Sequence, residues 1–131
     1  MKRTLLLLAA LSLPLFAQDD AAFAGWMKSV GGGGRGLRAA LEAKNGEEAA
    51  TDAKKLQAVF VEVKGYWDKK GVADAAKMSA TAADAYGEVA AMASAGKFEE
   101  ASDSLKKASA TCGGCHSMHR EKAADGSWKI K

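Results

Sequence analysis

The chain has 131 residues, enough for one domain and short for two, and its 19 basic against 16 acidic side chains leave a formal charge of only +3. No basic block with interleaved aromatics occurs, so nucleic acid is not an expected partner. Its only two cysteines, Cys112 and Cys115, are one helical turn apart, which excludes a dispersed disulfide framework.

In chain order, the first segment reads as an export signal over residues 1–17. Lys2 and Arg3 form a basic start, Leu5 to Leu13 is an apolar run, and Pro14-Leu15-Phe16-Ala17 precedes Gln18-Asp19-Asp20, placing cleavage after Ala17. The run falls short of the roughly 20 residues that span a bilayer, and no later segment is apolar enough to do so. The expectation is one domain over 18–131, exported to the periplasm, with no membrane span in the mature chain. Without Lys2 and Arg3 the balance is 17 basic to 16 acidic side chains, close to neutral.

After residue 20, Ala, Leu, Lys and Glu dominate, β-branched residues are sparse, and no run alternates as a half-buried strand would. Asn45-Gly46, Gly71 and Gly96 are spaced as helix stops, dividing the mature chain into four segments of about two dozen residues. The first carries an inward stripe of Phe23, Met27, Val30, Gly34, Leu37 and Leu41. The second has Ala49, Ala53, Leu56, Phe60, Val63 and Trp67. The third offers two stripes, one through Val72, Ala76, Ser79, Ala83, Tyr86, Ala90 and Ala93, the other through Ala75, Met78, Ala82, Ala85, Val89 and Met92, and the pattern does not choose between them. The fourth has Phe98, Ala101, Leu105, Ala108, Cys112, Cys115 and His119. Alternating steps of three and four, with short connections, predict an all-α, antiparallel up-down-up-down four-helix bundle. The stripes are light, rich in Ala and Gly, which means either closely spaced helices or an interior filled by something other than side chains. The run Gly31-Gly32-Gly33-Gly34-Arg35-Gly36 interrupts neither the stripe nor its period, although it could also be read as a bend.

Cys112-Gly113-Gly114-Cys115-His116 is the attachment pattern of a c-type haem. Two thiols one turn apart can add to two vinyl groups on one side of a porphyrin, and the next residue then offers its imidazole to the iron, making His116 the proximal ligand. Two other readings share these residues. A redox-active dithiol would normally sit where a strand enters a helix, not near the end of a last helix. A zinc site from Cys112, Cys115, His116 and His119 would need side chains about 100° apart on one helix to converge. No base paired with a nucleophile and no clustered carboxylates occur, so an enzymatic role is not expected.

An exported four-segment helical chain with Cys-x-x-Cys-His near the end of the last helix resembles the class II cytochromes c, the cytochrome c′ group, over essentially all of its mature length. The resemblance implies one haem c per chain and an electron carrier serving redox partner proteins. Dimers are common in that family, which leaves a homodimer open. Arg120 matches the basic residue these proteins carry four positions after the histidine, on the same side of the helix. The family divides by the sixth iron position, which is empty in the gas-binding members and filled in a low-spin subgroup by a methionine near the start of the first helix. Met27 stands at that place and is the candidate distal ligand; the alternative is five-coordinate iron that binds nitric oxide or carbon monoxide. Gly31 and Gly34 would then let the first helix approach the macrocycle, and His119 would cover its edge or bond a propionate. Phe60, Trp67 and Tyr86 are candidate lining aromatics. The tail Asp125–Lys131 departs from the family pattern, with Trp128 expected to pack back on the bundle.

Overall fold

The computed structural model describes residues 15–131, with side chains from Asp19 onward, so the Lys2, Arg3 and Leu5–Leu13 part of the expected export signal lies outside the described residues. Four helices follow in order: α1 (Leu15–Glu42), α2 (Gly46–Lys70), α3 (Ala73–Ser94) and α4 (Phe98–His119). They form the all-α four-helix bundle that the hydrophobic spacing predicts. Among the described residues no helix is long and apolar enough to cross a membrane.

The helix boundaries have local causes. Gly71 and Gly96 take positive φ, 71° and 73°, the left-handed position that ends a helix and that a residue without Cβ occupies at no steric cost. Asn45-Gly46 behaves differently from expectation. Asn45 opens α2 instead of closing α1, its side-chain oxygen accepting the Glu48 N–H at 3.2 Å. The left-handed residue after α1 is Lys44, at φ 55°. Gly46 is the first residue of α2, pressed so closely on α3 that a Cβ there would stand 2.6 Å from the Ala93 carbonyl oxygen.

Burial follows the α2 stripe at every position: Ala49, Ala53, Leu56, Phe60, Val63 and Trp67 are all buried. On α3 both stripes are buried except for the half-buried Val72, Met78 and Met92, because this helix packs extensively on α2 on one side and on α4 on the other. Alanine supplies much of the core, so the helices close tightly over most of the bundle. The large side chains gather at one end, where the start of α1 meets the ends of α2 and α4. There Phe23 stands 4.6 Å from Tyr66 and 5.5 Å from Trp67 by ring centroids, and Trp67 stands 5.3 Å from His119.

α1 runs unbroken through the five glycines between positions 31 and 36, so the run does not break the helix. It packs along α2, whereas α1 and α4 touch over a very small area. The tail departs from the all-helical expectation. Arg120–Lys122 (β1) and Trp128–Ile130 (β2) pair antiparallel, Arg120 opposite Ile130. Asp125-Gly126 turns the hairpin, with Gly126 at φ 83° and the Asp125 carboxylate accepting the Ser127 N–H at 2.9 Å and its hydroxyl at 2.6 Å. Ile130, not Trp128, packs against the core; Trp128 remains 54% exposed.

Candidate functional site

At the aromatic end of the bundle the interior opens into two adjoining cavities. The first, about 280 Å³, is lined by Met27, Val30 and Gly31 of α1, Phe60, Val63 and Trp67 of α2, Met78, Ser79 and Ala82 of α3, and Cys112, Cys115 and His116 of α4. The second, about 560 Å³, lies between the start of α1 and the end of α4, with the hairpin residues Trp128, Lys129 and Ile130 as one wall. Phe23, Met27, Trp67, Cys115, His116 and Arg120 line both. The larger volume is ordinary for a site that takes a small molecule or cofactor.

The antiparallel bundle is what brings these groups together. The start of α1 and the end of α4 share one end of the molecule, so Met27 and His116, far apart in the chain, face the same space. The light stripes and the small α1–α4 contact leave that space unfilled. Both thiols are unbonded and half-buried, and burial pushes each above its ordinary pKa. Burial, and then the Arg120 guanidinium, hold His116 below the usual histidine value, which favours the neutral imidazole whose nitrogen lone pair can bind a metal. Trp67 is 2% exposed and its indole Nε1 has no hydrogen-bond partner among the described residues, an orphaned donor in the wall of both cavities.

The expected residues divide unevenly. Met27, Gly31, Cys112, Cys115, His116 and Arg120 all line the first cavity. Gly34 does not. It faces open space, while Gly33 is the glycine packed on α2, its Cβ position 3.0 Å from Leu56 Cδ2. The inward stripe of α1 therefore passes through Gly33 between Val30 and Leu37, a step of three followed by one of four. Tyr86 does not line either cavity. It is buried behind Phe60, stacked at 5.5 Å, where burial raises its phenol to about 12.

His119 lines the second cavity, but its imidazole Nε2 bonds the Asp74 carboxylate at 2.8 Å, so it braces α4 against the start of α3 and that nitrogen is already engaged. The same bond is the main cause holding the Asp74 carboxyl below its ordinary value. Arg120 reaches the site by a different route from the one its spacing implies. The helix stops at His119, and Arg120 is extended (φ −132°, ψ 153°), its backbone N–H donating to the His116 carbonyl. Its guanidinium lies 3.8 Å from the centre of the Trp128 ring, which fixes it at the rim.

Met78 and the hairpin wall are additions to the expected set. Met78 was legible as a member of the second α3 stripe; the hairpin announced itself only through Asp125-Gly126. Among the described residues no cluster of three or more His, Cys, Asp or Glu side chains is arranged to hold a metal ion, which removes the support for a four-ligand zinc site. Comparison with known proteins adds no relative: no family model, no curated protein and no solved structure matches the chain.

Proposed function

We propose that this chain is a monohaem c-type cytochrome of the periplasm that carries electrons between redox partner proteins, with the haem joined to Cys112 and Cys115 and its iron held between His116 and Met27. One observation carries the reading. Cys112, Cys115 and His116 of the motif and the methionine near the other end of the chain line the same cavity of about 280 Å³, walled by Phe23, Val30, Phe60 and Val63, and it adjoins a second of about 560 Å³ that shares Met27, Cys115 and His116.

The residues present suit such a group. Each thiol would add across one vinyl double bond, forming a carbon–sulphur bond while the thiol hydrogen goes to the neighbouring carbon. The attachment is redox-neutral and releases nothing. The haem, when bound, supplies a one-electron ferric–ferrous couple. His116, whose neutral form is favoured by burial and then by Arg120, would offer its imidazole lone pair to the iron. Met27 contributes a thioether, a ligand that raises a haem potential relative to a second imidazole. Phe23, Val30, Phe60 and Val63 make most of the wall apolar, and the Trp67 N–H is a buried donor without a partner among the described residues.

Mass and absorption test this reading. The purified protein should weigh one haem more than its polypeptide, the excess surviving acid–acetone extraction. The ferric spectrum should be low-spin, and Met27→Ala should convert it to high-spin, with carbon monoxide binding readily to the ferrous form. A wild-type protein already high-spin would replace the carrier with the five-coordinate gas-binding alternative. A protein without covalent haem would end both.

A further inference from the structure

The two cavities differ in chemistry, and the difference gives the site a direction. The first contains Cys112 and is walled by Phe60, Val63, Met78 and Ala82, with Arg120 its only cation. The second lacks Cys112 and gains Lys129 beside Arg120. A haem has the same polarity: its vinyl groups lie on one half and its two propionates on the other. Resting on the haem reading above, we propose that the C-terminal hairpin is the carboxylate-binding wall of this site, Arg120 and Lys129 receiving the propionates.

The charges at the second cavity support this assignment. Arg120 makes no ion pair among the described residues and sits over the Trp128 ring at 3.8 Å, so its fork of donors is placed without being spent on a protein carboxylate. Lys129 meets Glu121 at 3.3 Å across the hairpin, but both side chains are about half exposed, a weak pair that an inward acceptor can replace. The carboxylate facing the same space is Asp20 of α1, and it is already engaged by the Tyr66 hydroxyl at 2.6 Å and the Lys70 ammonium at 3.0 Å, both from α2. His119 of α4 is committed to Asp74 of α3. Arg120 and Lys129 are therefore the cations with capacity left. The hairpin that carries them is held in place by Ile130 against the core and by the Lys131 N–H donating to the His119 carbonyl at 3.1 Å.

Resonance Raman spectra of the haem-loaded protein read this directly, because propionate bending modes rise in frequency with hydrogen bonding. Arg120→Gln and Lys129→Gln should each lower the propionate mode, and the double variant should lower it furthest. The midpoint potential should fall with each lost positive charge, and Arg120→Lys should restore part of it. Lys122→Gln is the control: it is on the hairpin, with its ammonium 5.0 Å from the Trp128 ring centre, but outside both cavities. Propionate modes unchanged in the double variant, or shifted as much by Lys122→Gln, would overturn the assignment while leaving the haem intact. A wild-type chain with no covalent haem by mass would instead overturn the reading on which it rests.

Discussion

Five glycines in six positions of α1 oppose helix formation by roughly 1 kcal/mol apiece relative to alanine, and their surroundings separate them into classes. Gly32 and Gly34 face open space, where a methyl group would meet nothing within 4 Å. Gly32→Ala and Gly34→Ala should each raise stability by about 0.5–1 kcal/mol, through lost freedom of the unfolded chain, and leave the absorption spectrum unchanged. Gly33→Ala should gain less, since its Cβ would press on Leu56 Cδ2 at 3.0 Å. Gly31 also meets nothing within 4 Å, but its open space is the first cavity. Gly31→Leu should therefore fold and yet load haem poorly, seen as a reduced haem-to-protein absorbance ratio. Urea unfolding of the four variants checks the order. If Gly34→Ala lost haem and Gly31→Leu kept it, the placement of Gly31 at the cavity and Gly34 away from it would be wrong.

Between elements, the start of α1 is clamped to the end of α2. Tyr66 donates to the Asp20 carboxylate at 2.6 Å, Lys70 pairs with it at 3.0 Å, and Phe23 packs on the Tyr66 ring. The Tyr66 hydrogen bond, then Lys70, hold the Asp20 carboxyl below its ordinary value. A depressed acid stabilises the fold fully above its unfolded pKa, about 3.9, and loses that contribution as pH falls through the lower folded value. Lys70 is shifted upward, chiefly by its bonds to Tyr66 and Asp20; its share is complete below its unfolded pKa, about 10.4, and is lost as pH rises through the folded one. Asp20 is half exposed, so Asp20→Asn should cost at most about 1 kcal/mol. That deficit should be flat from about pH 5 to pH 9 and shrink as pH falls through the lowered carboxyl value, as read by urea midpoints at each pH. A deficit that persisted in acid would show that the lost contact is not ionic. Little of this clamp was legible in the sequence, because it joins residues from two helices whose relative rotation the pattern leaves open. The α2 stripe was legible in full, since each position faces one core. On α3 the spacing allowed two answers because the helix is sandwiched and buries both. That Met27 shares a cavity with Cys112, Cys115 and His116 was legible from the register of antiparallel helices; the hairpin was not, because three residues a side are too few to show a period of two.

For the molecule as a whole, the packing forms a chain and not a closed ring. α2 is packed on α3, α3 on α4 and α1 on α2, while α1 and α4 scarcely meet, and the cavities occupy the joint they leave open. A cofactor held covalently by α4 and ligated from α1 would supply the missing fourth contact. On the proposed reading, the group that carries the electron would also complete the fold, and its binding free energy would appear as stability of α1. Replacing both cysteines, Cys112→Ala with Cys115→Ala, removes the tether without removing any helix. Hydrogen exchange on this variant should leave Leu56 and Val89, deep in the α2–α3 core, as protected as in the loaded protein. Amides in the first half of α1 should exchange on the order of tenfold faster or more, because local opening there no longer breaks a bond to α4. Equal protection of α1 with and without the tether would show that α2 alone seats it, and the open joint would then have no structural part in holding the bundle together.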